Sequence, residues 1–305
     1  MYDIEELYEA ESPEHAVELL TVHPKSFIIA GGTDVLLRIR DGALGGAVLI
    51  SIQKLDSLRG VTISSNGEIR IGSLTSFSHI SRDPIINKHI PTLAEAVSTV
   101  GGPQIRNIGT IGGNVCNNSN GCNGYDICKA ISAADSGSTL LAFDVVMEYL
   151  GTDGKRLVPI KDHYISDGKT ALKNNEILQA ILIPQESYEN YFGIYIKYAM
   201  RNAMDIATLN CSANVKLSKD KKNIESLRIA YGVTAPVPVR SFSAEKFAQG
   251  KPINSETVSQ TAEAVLSDIN PRTSWRGSRE FRIHLAQELA KRAITESLKR
   301  AGALI

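Results

Sequence analysis

The sequence of 305 residues contains no long apolar run and no excess of charge of either sign. No stretch approaches the ~18 apolar residues of a membrane-spanning helix, so membrane insertion is excluded. The 33 basic side chains are balanced by 33 acidic ones, which leaves no positive field to attract nucleic acid. With 43% hydrophobic and 22% charged residues, the composition is that of a globular protein of about two domains.

Cysteine and histidine are also scarce. The first residues lack the basic and apolar regions of a signal peptide, so we expect a cytoplasmic protein. Its four cysteines, Cys116, Cys122, Cys128 and Cys211, are then expected to stay reduced. The six histidines are too scattered to predict a metal site, and no Ser–His–Asp or Cys–His constellation is visible.

Strand-like and helix-like segments are interleaved in the first part of the chain. Apolar runs predict strands at residues 27–30, 47–52, 68–74, 139–150 and 177–183. Apolar spacing predicts helices at residues 14–20 and 91–100, the second ending at a Gly-Gly-Pro stop signal. This order indicates small α/β units.

The second part has its strands first and its helices afterwards. Strands are predicted at residues 194–200, 207–217 and 225–233, and helices at 255–269 and 278–299. Strands followed by helices are typical of an α+β domain. We therefore predict two domains, residues 1–187 and 188–305, and an α+β fold overall.

A Gly-Gly pair follows the predicted strand at residues 27–30, within the segment IIAGGTD (28–34). Amide groups at such a turn can point inward without obstruction by Cβ atoms, which suits a phosphate, and Thr33 and Asp34 add a hydroxyl and a carboxylate. The segment matches neither the Rossmann nor the P-loop pattern. By itself the segment is better explained as an ordinary Gly-Gly turn.

A second glycine-bearing loop is predicted in the segment QIRNIGTIGGN (104–114). Two such loops, each at the end of an apolar segment, could hold the two phosphates of a dinucleotide from both sides. The pair favours a nucleotide site more strongly than either loop alone.

Together these two segments resemble the FAD-pyrophosphate loops of the flavoprotein subunits of molybdenum hydroxylases, the family of xanthine dehydrogenase and carbon monoxide dehydrogenase medium subunits. The likeness extends to KYAMRNAMDIATL (197–209), APVPVR (235–240) and PRTSWRGSREFR (271–282). The last two segments are most similar to bacterial xanthine dehydrogenase FAD subunits. The resemblance implies a two-subdomain FAD-binding domain of the PCMH type, as in vanillyl-alcohol oxidase, followed by a C-terminal domain with a three-stranded sheet and helices.

The resemblance also implies which residues bind FAD. They are Phe27, Ile28, Ile29, Ala30, Gly31, Gly32, Thr33, Asp34, Thr110, Ile111, Gly112, Gly113, Asn114, Asp135, Leu178 and Lys197. Asp135 would lie near the ribose, and Leu178 and Lys197 would contact the isoalloxazine ring. A cation beside the N1–C2=O edge would stabilise the anionic reduced ring. Without the resemblance, Lys197 is better explained as an exposed strand lysine.

The implied function is that of an electron relay. FAD, bound noncovalently because no histidine lies in either glycine loop, would take electrons from [2Fe-2S] clusters on an iron–sulfur subunit and pass hydride to NAD+. The molybdenum cofactor would lie on a large subunit that oxidises a purine. The alternatives are a nicotinate dehydrogenase, carbon monoxide dehydrogenase or 4-hydroxybenzoyl-CoA reductase flavoprotein, a free-standing flavin oxidoreductase, and a noncatalytic nucleotide-binding module.

About a dozen residues, NGCNGYDICKAI, depart from the family pattern after Asn118. They give the spacing C-x5-C-x5-C with Cys116, and a cysteine-bearing insertion at this point holds a [4Fe-4S] cluster in the 4-hydroxybenzoyl-CoA reductase branch. A fourth ligand could only be Cys211, which lies in a predicted strand of the other domain. We therefore expect a reduced surface loop without iron.

Overall fold

The fold is known from a computed structural model, which describes residues 2–117, 132–166 and 168–304. The strands are β1 (Ile4–Glu9), β2 (Phe27–Ile29), β3 (Ala47–Ser51), β4 (Val61–Ile63), β5 (Ile69–Gly72), β6 (Val146–Gly151), β7 (Gly154–Pro159), β8 (Tyr164–Ser166), β9 (Lys169–Thr170), β10 (Ile177–Ile183), β11 (Phe192–Tyr198), β12 (Leu209–Leu217), β13 (Ile224–Gly232) and β14 (Val239–Arg240). The helices are α1 (Pro13–Val22), α2 (Val35–Arg40), α3 (Phe77–Ile80), α4 (Pro84–His89), α5 (Pro91–Ser98), α6 (Pro103–Ile108), α7 (Ile111–Val115), α8 (Asp135–Ala142), α9 (Ile160–His163), α10 (Gln185–Tyr188), α11 (Phe242–Ala248), α12 (Ser255–Ala264) and α13 (Arg279–Arg300). None of the helices in these ranges is both long and apolar enough to cross a membrane.

The first subdomain is a small parallel sheet in the order β1-β3-β2 with helix α1 packed on it. Helix α1 begins where Ser12 accepts a hydrogen bond from the backbone of His15 and where Pro13 occupies the first turn. Its inner face buries Ala16, Val17 and Leu20. Strand β2 is short, and its carboxyl end leads directly into the first glycine loop.

The second subdomain is an antiparallel sheet in the order β4-β5-β10-β6-β7. Strand β10 lies at its centre and is buried along its whole length, as expected from its unbroken apolar sequence. Helices α3, α4, α5, α7 and α8 contribute to the same hydrophobic core. The two subdomains and the following sheet confirm the predicted α+β class.

The C-terminal sheet has the order β11-β12-β13-β14. Three of these strands were predicted, and the fourth is a two-residue strand within the segment 235–240 that pairs with the end of β13. Helices α11, α12 and α13 share a hydrophobic core with this sheet. Helices α5 and α8, which precede the predicted domain boundary, also contact it. The sheet therefore lies between helices from both parts of the chain.

Two local predictions were wrong. Residues 139–142, predicted as the start of a strand, belong to helix α8, every residue of which is buried. The segment TLLA is a short apolar run, and periodicity by itself cannot distinguish such a run in a buried helix from one in a strand. The segment 104–114, predicted as a loop, forms most of helices α6 and α7. Pro103 begins the first of these helices and Thr110 caps the second, and both are recognisable start signals.

Candidate functional site

A cavity of about 640 Å³ lies at the carboxyl end of β2. Its volume falls within the range of about 300–1,000 Å³ that is usual for small-molecule and cofactor pockets. All predicted residues of the first loop except Ile29 line it, and so do all those of the second loop except Ile111. Asp135 and Leu178 also line it, whereas Lys197 does not. The structure thus brings most of the predicted site together around one space.

The first glycine loop offers unused hydrogen-bond donors to this cavity. The amide groups of Gly31, Gly32, Thr33 and Asp34 donate no hydrogen bond to any described residue. The loop turns through Gly32, whose φ of +73° lies in the left-handed region that favours glycine. Consecutive free amides at such a turn form a concave site for an anion.

The two loops touch through their backbones. A Cβ atom at Gly31 would lie 2.0 Å from the carbonyl oxygen of Ile108 and 2.8 Å from its carbonyl carbon. Only glycine permits this approach, because no side-chain rearrangement can move a backbone carbonyl out of the way. Gly31 therefore fixes the distance between the walls of the cavity.

The second loop presents fewer free donors than predicted. The amides of Ile111 and Gly112 donate to the carbonyls of Thr75 and Ser73, and the amide of Gly113 donates to Thr110 Oγ1 at 3.1 Å. Gly113 lies within helix α7 and does not have a positive φ. The second loop therefore lines the cavity mainly with the capped first turn of helix α7, and it offers few amides for binding phosphate.

Asn114 adds a side-chain donor on this wall. Its Oδ1 accepts a hydrogen bond of 2.6 Å from the hydroxyl of Ser136. In this arrangement Nδ2 donates to no residue within the described ranges, so Asn114 has a donor available on the cavity side.

Asp34 and Arg38 place charge at the end of the first loop. Burial raises the pKa of the Asp34 carboxyl, while a hydrogen bond with Asn117 and the charge of Arg38 oppose that shift. Burial lowers the pKa of Arg38, and the charge of Asp34 opposes this. Both side chains line the cavity.

Asp135 and Lys197 form a buried ion pair. The Lys197 ammonium donates to Asp135 Oδ2 at 2.8 Å and to the carbonyl of Thr99 at 3.0 Å, and Tyr195 donates to Asp135 Oδ1. Burial raises the pKa of Asp135, and these partners oppose the shift. The Lys197 side chain is only 10% exposed, so the alternative of an exposed strand lysine is wrong. Its direct contact with a flavin ring stays a prediction.

Leu178 reaches the cavity from strand β10, next to an ion pair that the sequence did not reveal. Glu176 accepts hydrogen bonds from Arg156 at 2.6 and 3.0 Å. Burial by itself would raise the pKa of Glu176, but the bonds from Arg156 hold it below its usual value. This pair ties β7 to the turn before β10 and so fixes the position of Leu178.

The C-terminal part of the chain closes one side of the cavity with residues that sequence reasoning missed. Arg201, Met204, Asp205 and Arg276 line it, and a Cβ atom at Gly102 would lie 3.6 Å from Met204. These residues fall within the segments 197–209 and 271–282 that resemble the family. Their arginines were the available signal, since arginine is well suited to binding phosphate and other anionic groups of a nucleotide.

The cysteines show no metal site within the described ranges. Cys116 lines the cavity, and burial raises the pKa of its thiol to about 12. Cys211 lies fully buried in β12, as predicted, and burial likewise raises its pKa. No group of three or more potential metal ligands occurs among the described residues. Cys122 and Cys128 lie outside those residues, so the predicted absence of iron there stays a prediction.

Comparison with known protein families shows which family the chain belongs to. Residues 2–186 match the FAD-binding domain of molybdopterin dehydrogenases, and residues 194–297 match the C-terminal domain of carbon monoxide dehydrogenase flavoproteins. The chain belongs to this flavoprotein family. Its predicted membership in the molybdenum hydroxylase flavoproteins and its predicted FAD cofactor are thereby confirmed.

Individual flavoproteins resemble the chain over its full length. It is 39% identical over 302 residues to a putative xanthine dehydrogenase FAD-binding subunit of Escherichia coli K12, covering 99% of both chains. It is 29% identical to the glyceraldehyde dehydrogenase medium chain of Sulfolobus acidocaldarius, covering 94% of this chain and 96% of the other. The structure of carbon monoxide dehydrogenase from Hydrogenophaga pseudoflava superposes with a TM-score of 0.88 at 26% identity, covering 98% and 99% of the two chains.

The residues of the cavity suit this flavoprotein's cofactor. FAD carries a pyrophosphate, which requires several donors close together, and four adjacent amides of the first loop have no partner within the described part of the chain. The apolar side chains of Phe27, Ile28 and Leu178 offer surface for an aromatic ring system. A polar turn at one wall and apolar side chains nearby match a ligand with a charged middle and aromatic ends.

Proposed function

We propose that the chain is the FAD-binding subunit of a xanthine dehydrogenase-type enzyme and passes electrons from an iron–sulfur subunit through FAD to NAD+. The assignment to the FAD-binding oxidoreductase subunits of the molybdenum hydroxylase family rests on the family match. The xanthine dehydrogenase branch is favoured because identity to that relative is 39%, against 29% for the glyceraldehyde dehydrogenase chain. The molybdenum cofactor and the [2Fe-2S] clusters would lie on partner subunits.

The observation that carries the proposal is that the amides of Gly31, Gly32, Thr33 and Asp34 have no acceptor among the described residues and lie in a cavity also lined by the second loop. These amides would hold the pyrophosphate, and Gly31 would keep the loops at the required separation. The buried pair of Asp135 and Lys197 would order the opposite wall. FAD, when bound, supplies a group that accepts electrons singly and donates them as a pair.

Purification of the complex from its native host through a tag on this chain tests the assignment. We expect iron- and molybdenum-containing subunits to copurify, and anaerobic NADH to bleach the flavin absorption band by hydride transfer. Bleaching by dithionite but not by NADH would refute NAD+ as the acceptor. If the tagged chain purifies without any other subunit, the role as a subunit is refuted and a free-standing flavin oxidoreductase is favoured.

The same preparation tests the substrate class. Xanthine, nicotinate, glyceraldehyde and carbon monoxide are each added anaerobically, and bleaching of the flavin reports electron arrival from the partner subunits. We expect xanthine to bleach the flavin faster than the other three compounds. Faster bleaching by any of the others would place the complex in a different branch of the family.

A further inference from the structure

Arg276 is a cation of the cavity wall whose side chain has no hydrogen-bond acceptor among the described residues. Its side chain lines the cavity and its Nε atom is buried without a partner. The guanidinium donates no hydrogen bond and forms no ion pair with any described residue; it stacks on the ring of Trp275, 4.1 Å from the ring centroid. A buried donor left unpaired is costly, so its persistence here points to an acceptor outside the described part of the chain, such as a ligand.

The turn that carries Arg276 is rigidly built. Ser274 and Gly277 exchange backbone hydrogen bonds of 3.0 and 3.1 Å across it. Arg282, only 1% exposed, fixes the turn from below by donating to Ser274 Oγ at 2.7 Å, to the carbonyl of Thr208 at 3.2 Å and to the carbonyl of Arg272. The position of Arg276 is therefore set before any ligand binds, which lowers the cost of recognition.

The other cations near the cavity already have partners. Lys197 bonds Asp135 and Thr99 and does not line the cavity. Arg201 donates to the carbonyl of Met204 at 2.7 Å and lies 3.8 Å from Asp205. Arg38 interacts with Asp34 at the first loop. Among these side chains, Arg276 is the one whose guanidinium donates to no described residue, although its charge helps to lower the pKa of the nearby Asp205 carboxyl.

We propose that Arg276 binds the negatively charged edge of the reduced flavin ring and so raises the reduction potential of FAD. Two electrons and one proton convert FAD to a reduced form with one negative charge on the ring, and a nearby cation stabilises that charge. The amides of residues 31–34 are already assigned to the pyrophosphate in the proposed placement of FAD. Arg276 is therefore available to bind the ring. This inference rests on the proposed placement of FAD in the cavity.

Substitution of Arg276 in the purified complex tests the proposal. Arg276→Gln removes the charge, Arg276→Lys keeps it, and Arg279→Gln removes the charge of an exposed arginine that does not line the cavity. The flavin reduction potential is measured by equilibrium titration with a chemical reductant and a dye of known potential, and FAD content is measured by acid release.

We expect Arg276→Gln to lower the equilibrium constant for flavin reduction about tenfold, which is about 30 mV for a two-electron couple. Arg276→Lys should recover most of this loss, and Arg279→Gln should leave the potential unchanged. FAD content should stay near one per chain in all three variants.

Other results would overturn the proposal. An unchanged flavin reduction potential in Arg276→Gln with full FAD content would show that the guanidinium does not interact with the flavin ring. Loss of FAD with an unchanged potential in the bound fraction would assign Arg276 to a phosphate. A raised KM for NAD+ with an unchanged potential would assign it to the acceptor. Because the potential is measured with a chemical reductant and FAD content by acid release, the first two outcomes are independent of whether NADH reduces the flavin.

Discussion

The contact between Gly31 and the backbone of Ile108 predicts a large effect of one methyl group. A Cβ atom at Gly31 would lie 2.0 Å from the Ile108 carbonyl oxygen, whereas real Cβ contacts essentially never fall below 3.0 Å. Gly31→Ala must therefore separate the two loops by about 1 Å. We expect this separation to disturb the cavity while leaving most of the core, which lies in other elements, intact.

Inserting an extra carbon into a tightly packed contact costs about 1–3 kcal/mol. If this cost falls mainly on the FAD-bound arrangement, the Kd for FAD rises about 5- to 150-fold, because every 1.4 kcal/mol is a factor of ten. The assay is titration of the FAD-depleted full-length chain with FAD, followed by the quenching of flavin fluorescence. Urea unfolding of the same samples measures any accompanying loss of stability.

Gly42→Ala is the matched control. Gly42 has a φ of +78°, nothing lies within 4 Å of a Cβ atom built there, and it does not line the cavity. We expect that variant to lose about 1 kcal/mol of stability from backbone strain with no change in the Kd for FAD. A Gly31→Ala variant that binds FAD within twofold of the wild type would refute the view that this contact sets the site.

Further predictions concern charge, pH and bound groups. Lys197→Ala should lower the free energy of unfolding by about 3–5 kcal/mol because it leaves Asp135 buried without its cation; a loss under 1 kcal/mol in urea would contradict this. Burial lowers the pKa of His163 from 6.5 to about 4, so the unfolded chain binds more protons between these values and stability should fall by up to about 3 kcal/mol as pH drops through this window. His163→Gln should flatten this pH dependence, and parallel curves for both proteins would refute the assignment. FAD should be released completely by acid precipitation, and yellow colour in the pellet would disprove noncovalent binding. Iron analysis of the anaerobically purified chain should find none, and about four irons, lost in Cys122→Ser, would instead indicate a cluster in the insertion.

The sequence was sufficient where a local pattern has a local cause. The Gly-Gly pair after β2 required no knowledge of the rest of the fold, because a turn with free amides depends on the residues that form it. The long helix α13 and the central strand β10 were also predictable, since each has a continuous periodic or apolar pattern.

Predictions from the sequence were wrong where a segment is buried on all sides, or where its backbone amides donate to residues far away in the chain. Helix α8 is covered by the C-terminal sheet and helix α5, and its buried run TLLA resembles the start of an apolar strand. The amides of Gly112 and Ile111 seemed free in the sequence, but their acceptors are the carbonyls of Ser73 and Thr75, about forty residues away. Such partners are invisible to a local pattern.

The sequence by itself determined the class of protein and the chemistry of its first loop, because both depend on residue types at fixed spacing. The tertiary structure alone decided which cation is available to a ligand in the cavity. Lys197 and Arg276 are equally charged in the sequence, but β11 directs the first onto Asp135, while the turn held by Arg282 leaves the second without an acceptor in residues 2–117, 132–166 and 168–304. The reason is physical: whether a charge is free depends on what folding places within about 3 Å of it, and residues far apart in the chain supply those neighbours.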